Sequence, residues 1–170
     1  MMMKKLIAIL LAAMLTLGAA ALAETYTSDD IRFEYDAKAF KITLDDRTDE
    51  ETTVVLTGTK EAWGQTYIRL YLKDLEDGEK FPTMDDFAEM PDTEVTQGEW
   101  NGYQNVFMYE LNNDDGTSQH FFIAPVTDED GEVEDLLTVE IGITAIEDDD
   151  TAMERDDLIS AVVDSLKVDD

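Results

Sequence analysis

The chain has 170 residues, with 41 acidic side chains against 12 basic ones, a single histidine and no cysteine, for a formal net charge of −29 at pH 7. That balance excludes nucleic acid and anionic lipid as partners, because phosphate surfaces are held by clustered Lys and Arg. The missing thiols exclude a disulfide framework, a thiolate metal site and a cysteine nucleophile, so packing alone must hold the fold.

Lys4 and Lys5 precede an apolar run over residues 6–17 that ends in small residues, with Ala21-Leu22-Ala23 before Glu24. This reads as a secretory signal peptide over residues 1–23, cleaved after Ala23. Its apolar stretch is short of the roughly 20 residues a membrane span needs. The expectation is a secreted or periplasmic protein with no membrane insertion after cleavage, and residues 24–170 forming one domain.

Residues 31–35 and 40–44 alternate apolar and polar side chains, and residues 52–57 are rich in β-branched types; all three read as strands. The clearest alternation runs from Thr66 to Lys73, with Ile68, Leu70 and Leu72 on one face and Tyr67, Arg69, Tyr71 and Lys73 on the other. This strand belongs near the middle of a sheet. After the turn residues 74–78, Thr83 and Asp86 predict the capped start of a short helix, with Met84, Phe87 and Ala88 buried and Pro91 as its stop. Asn101-Gly102 predicts a type I′ hairpin turn, since both residues tolerate positive φ; Trp100 and Tyr103 would face each other across it. Strands are expected over residues 103–111 and 118–126, then one carrying Leu137, Val139, Ile141 and Ile143. Thr151 and Glu154 mark a capping box for a closing helix whose stripe is Leu158, Ile159, Val162, Val163 and Leu166.

Strands joined by hairpins, with one short helix and one longer terminal helix, predict an α+β domain: a central antiparallel β-sheet with both helices packed on it. The element order, the opening Phe33-Glu34-Tyr35-Asp36, the Asn-Gly hairpin and the closing Asp164-Ser165-Leu166-Lys167-Val168 resemble the PsbP-like superfamily. That family includes the extrinsic photosystem II protein and many exported bacterial proteins. The resemblance implies a sheet-and-helix core and a protein that binds or supports a partner without catalysing a reaction.

The residues themselves supply little chemistry. Ser118 and His120 share a strand face about 7 Å apart along the chain, but no G-x-S-x-G sequence surrounds the serine. One histidine without cysteine makes no ordinary zinc site. The calcium-loop spacing around Asp128, Asp130 and Gly131 fails, because Val126 and Leu137 occupy its first and last ligand positions. Acidic pairs abound, but they fall in turns, where carboxylates are solvated and untuned. No catalytic residue, metal or cofactor is therefore assigned. Of the aromatic residues, Trp63, Trp100 and Tyr103 are the candidate binding residues, because each sits where a strand meets a turn. The expected function is a non-catalytic binding or accessory protein of the cell envelope or exterior, with a protein or glycan partner. The alternatives are a carboxylate-dependent hydrolase of surface sugars and a secreted inhibitor of hydrolases. A cleft converging on two carboxylates would mark the first and an exposed apolar loop the second.

Overall fold

The structure is a computed structural model that describes residues 23–76, 78–90 and 93–168. The expected signal peptide over residues 1–23 lies outside them except for Ala23, and so does Pro91, the expected helix stop. The expected α+β class is overturned, since the described chain is 52% strand and 17% helix, with one α-helix and two antiparallel sheets.

The larger sheet is formed by β3 (Phe40–Arg47), β4 (Glu51–Gly58), β5 (Tyr67–Asp74), β6 (Thr96–Trp100), β7 (Tyr103–Asn112), β8 (Thr117–Thr127) and β9 (Val133–Thr144), in the order β3-β4-β5-β9-β8-β7-β6. The strand read from Tyr67 to Lys73 does sit centrally, between β4 and β9. Its register stacks Val54, Leu70 and Val139 in one row and Leu56, Ile68 and Ile141 in the next. This apolar inner face is the product of the period of two, and a one-residue slip would turn every one of these side chains to the other side.

The smaller sheet holds β1 (Ala23–Thr27), β2 (Ile31–Asp36) and the two-residue β10 (Lys167–Val168), in the order β1-β2-β10. With α1 (Asp149–Ser165) it forms the layer that covers the inner face. Tyr26, Ile31 and Phe33 from the small sheet, and Ile159, Val162, Val163 and Leu166 from the helix end, join Leu56, Ile68, Leu70 and Val139 in one core. Burying each large apolar side chain of this set contributes about 1.5–3 kcal/mol. Two hydrogen bonds stitch the layers at the small sheet: Tyr26 donates to Asp45 Oδ1 at 3.0 Å, and Thr52 donates to Asp30 Oδ2 at 2.6 Å. Buried Arg155 donates from its guanidinium to the Thr144 carbonyl at 2.6 Å, fastening α1 to the end of β9.

Two helical expectations are corrected. The Thr83–Asp86 capping box exists, but it starts only a 3-10 turn over Met84–Phe87, whose Met84 is exposed. The longer helix is capped by Asp148, whose side chain accepts from the Thr151 main-chain N–H at 2.9 Å, so Thr151 lies inside the first turn. No basic side chain occupies the last turn of α1, because Lys167 has already entered β10.

Candidate binding surface

The three aromatic residues singled out from the sequence do not come together. Trp63, in a 3-10 turn over Glu61–Trp63, is wholly enclosed: its ring packs against Phe40 at 5.6 Å and lies under the Lys60 ammonium at 5.0 Å. Its indole Nε1 is buried without a hydrogen-bond partner, a cost of about 1–3 kcal/mol that the core around it offsets. Trp63 presents nothing to a partner. Trp100 and Tyr103 do flank the Asn101-Gly102 turn as paired residues. Both are half-buried and packed against the core, with Trp100 stacked on Phe122 at 4.6 Å and its ring centroid 6.4 Å from that of Tyr103.

The hairpin tip that carries them is docked. Asn101 takes the positive φ of 48° that the turn requires, and its side-chain amide donates to the carbonyls of Val163 and Leu166 at 3.0 and 3.2 Å. The Val163 carbonyl also accepts from the Leu166 N–H at 3.2 Å, so the asparagine adds a second donor there and supplies one to the Leu166 carbonyl beyond the last turn. One asparagine thus closes the β6-β7 turn and caps α1.

The outer face of the large sheet carries Tyr67, Arg69 and Tyr71, opposite the side that the helix covers. Tyr67 donates to Glu140 Oε1 at 2.5 Å, Gln119 donates to both of them at 2.9 Å, and Arg69 approaches Glu140 at 3.8 Å. Burial raises the Tyr67 phenol above its ordinary value, and the carboxylate that accepts its proton adds to the shift. The Tyr67 ring lies over Gly142, where an added Cβ would come within 2.1 Å of it. Further along, Tyr109 and Phe121 stack at 4.7 Å, while Phe81 and Phe87 cover Phe107 at 5.5 and 4.8 Å. That cover explains why adjacent residues Val106 and Phe107 are both buried, one on each face.

The sheet is least finished at β7. Its pairing with β6 stops at Thr96 opposite Met108, yet β7 runs on to Asn112. In this ladder the Asn113 N–H donates to the Thr117 carbonyl across the β7-β8 turn. Because antiparallel main-chain groups alternate in direction, Leu111 and Tyr109 also face β8, and Glu110 and Asn112 turn their N–H and C=O outward. Beside this edge lies an open groove of about 530 Å³, lined by Glu94 and Thr96 before and within β6, by Met108, Tyr109, Glu110 and Asn112 of β7, and by residues 120–122 of β8. Among the described residues, Glu94 and Glu110 are its acids and no lysine or arginine lines it.

Ser118, His120 and Glu110 meet near this edge. The serine Oγ lies 3.4 Å from His120 Nε2, and Glu110 Oε2 lies 3.7 Å from His120 Nδ1. The order matches nucleophile, base and carboxylate, but acyl transfer also needs donors aimed at a developing oxyanion. The Ala145 N–H donates to the Gly116 carbonyl, which sets the alternation between β8 and β9. Ser118 and His120, paired with Ile143 and Ile141, therefore turn their N–H groups into that ladder. These donors are spent on the sheet.

Asp135 pairs with Asp74 across β9 and β5, and its carboxyl is pushed up to about 6, first by burial and then by the charge and hydrogen bond of Asp74. Hydrolysis of a glycosidic bond needs its two carboxyls about 5 Å or more apart, flanking the sugar. Side chains paired directly across adjacent strands, with Cβ atoms about 4.5–5.5 Å apart, lie side by side on one face and do not flank a sugar from opposite sides. Among the described residues no group of three or more His, Asp or Glu side chains is placed to hold a metal ion, and no helix is long and apolar enough to cross a membrane.

No family model matches the chain, and neither a curated protein nor a solved structure matches it.

Proposed function

We propose that this chain is an exported, non-catalytic binding or accessory domain of the cell envelope or exterior, and that its partner is a protein seated in the groove beside β7. Export rests on the leader pattern of residues 1–23. The observation that carries the binding reading is the overhang of β7 past β6: main-chain groups of Glu110 and Asn112 face outward beside a groove walled by Tyr109 and Phe122. An edge of this kind is a template for another chain, and proteins blunt it when it has no use. The opposite edge strand, β3, is blunted by a bulge between Ile42 and Leu44 and by Asp45 and Asp46. The loose Ser118-His120-Glu110 order, with the neighbouring N–H groups committed to the sheet, supports the non-catalytic half of the reading.

Site-specific photo-crosslinking tests this. A crosslinking side chain at Thr96, in the groove, should join a discrete partner from the exported fraction of the source cells, and excess unlabelled chain should compete it away. The same group at Lys41, on the β3 edge, should give no such product. Equal products from both positions, or none from Thr96, would overturn the assignment of the groove.

A further inference from the structure

Resting on that binding reading, we propose that the groove takes an extended, lysine- or arginine-bearing peptide segment as an added antiparallel strand on β7.

Three observations converge on this occupant. The first is geometric: Glu110 and Asn112 each offer one outward N–H and one outward C=O, spaced two residues apart as a neighbouring strand requires. The β6 strand that fills this lane as far as Met108 stops there, so an added strand prolongs a lane that the sheet has already begun. The second is the shape of the lining. Tyr109 and Phe121 stand on one side of the edge and Phe122 and Met108 on the other, so alternate side chains of an extended peptide would meet apolar surface on both faces.

The third is charge, and it chooses between occupants. A second copy pairing through its own β7 edge would bring Glu110 against Glu110 on molecules of net charge −29 each, and like charges placed opposite across a ladder are destabilising. An acidic peptide meets the same objection. A basic segment places its cations beside Glu94 and Glu110, and the field of the whole molecule raises its rate of encounter. The acids thus guard the edge against self-pairing and leave it open to cationic strands.

The test uses the purified chain and fluorescein-labelled hexapeptides of alternating lysine and valine, followed by anisotropy at physiological salt. The parent peptide should bind saturably, and its glutamate-valine counterpart should not. Two further forms carry N-methyl groups on alternate residues, one in each of the two possible phases, so that charge is unchanged. Only one phase puts methyls on the N–H groups that face β7. One form should bind like the parent and the other about tenfold or more weakly, as loss of two or more hydrogen bonds predicts. In hydrogen exchange the Glu110 and Asn112 amides should slow when the parent binds. Equal binding of both N-methylated forms would show attraction by charge alone and would overturn strand addition, as would no binding of the parent. If crosslinking from Thr96 succeeds while every peptide fails, the binding reading stands and the partner class falls. If crosslinking fails as well, both fall.

Discussion

Trp100 carries the most instructive contrast at the scale of single residues. Its place beside a hairpin turn suggested a solvent-facing anchor, yet the ring stacks on Phe122 at 4.6 Å and packs on the core. Trp100→Ala should therefore cost about 2 kcal/mol, short of the range for a fully buried aromatic side chain because the ring is half-buried, measured as a lowered midpoint in urea. A change within a few tenths of a kcal/mol would mean the ring packs on nothing that matters. The sequence made the turn legible because Asn-Gly pairs take positive φ at little cost. It could not make the docking of that turn legible, because the helix end that receives it lies more than 60 residues away. Trp63 was hidden for the same reason: its neighbour Phe40 belongs to another strand, and no local pattern distinguishes an enclosed indole from an exposed one.

Among elements, periodicity was a reliable guide to type and a poor one to partners. The alternation of β5 and the stripe of α1 both translate into buried faces, since Ile68, Leu70, Ile159 and Val162 meet in one core. What alternation leaves open is how strands sort into sheets. β10 has only two residues and β1 buries only Tyr26, so neither shows a period, and they gain their structure by pairing with β2 on either side. That sorting turned an expected sheet-and-helix domain into a mostly β one. The groove went unread for a related reason, since it exists only because two neighbouring strands end at different points. The Asn101 cap permits a clean test at this scale. Asn101→Gly keeps the positive φ and removes only the side-chain donors to Val163 and Leu166, so it should cost about 1 kcal/mol and speed exchange of amides in the last turn of α1. Unchanged stability and exchange would show that water caps the helix equally well.

For the whole molecule the governing quantity is the excess of carboxylates, and two groups of them oppose each other. Asp135, with its carboxyl pushed up to about 6, binds a proton more tightly in the folded chain than in the unfolded one. Its contribution to stability is complete below about pH 4, the ordinary carboxyl value, and is lost as pH rises through 6. Asp45 beside Arg47, Asp86 under Thr83 and Asp148 under Thr151 are shifted down by the groups they accept from. Their stabilisation is present above about pH 4 and lost as pH falls through their lowered values. Stability should therefore peak between about pH 4 and pH 6. Asp135 is partly solvated, so its share is on the order of 1 kcal/mol after allowance for screening. Melting curves across pH check this: Asp135→Asn should flatten the decline from pH 4 to pH 7, and an unchanged profile would assign that decline to other carboxylates.

Strand β2 is clasped at both ends of the described chain. It pairs with β1 on one side and with Lys167 and Val168 on the other, and the Ser165 hydroxyl accepts from the Glu34 N–H at 2.8 Å. An early strand is thus completed by residues made more than 130 positions later. A loop of that length closes slowly, because its entropy is lost before its contacts form. A ribosome-bound nascent chain that has not reached residue 166 has β2 with a vacant flank, and its Ile31 and Phe33 have yet to meet Leu166. Such a chain stays loose until synthesis has passed that point, so the small sheet is the last part of the fold to close.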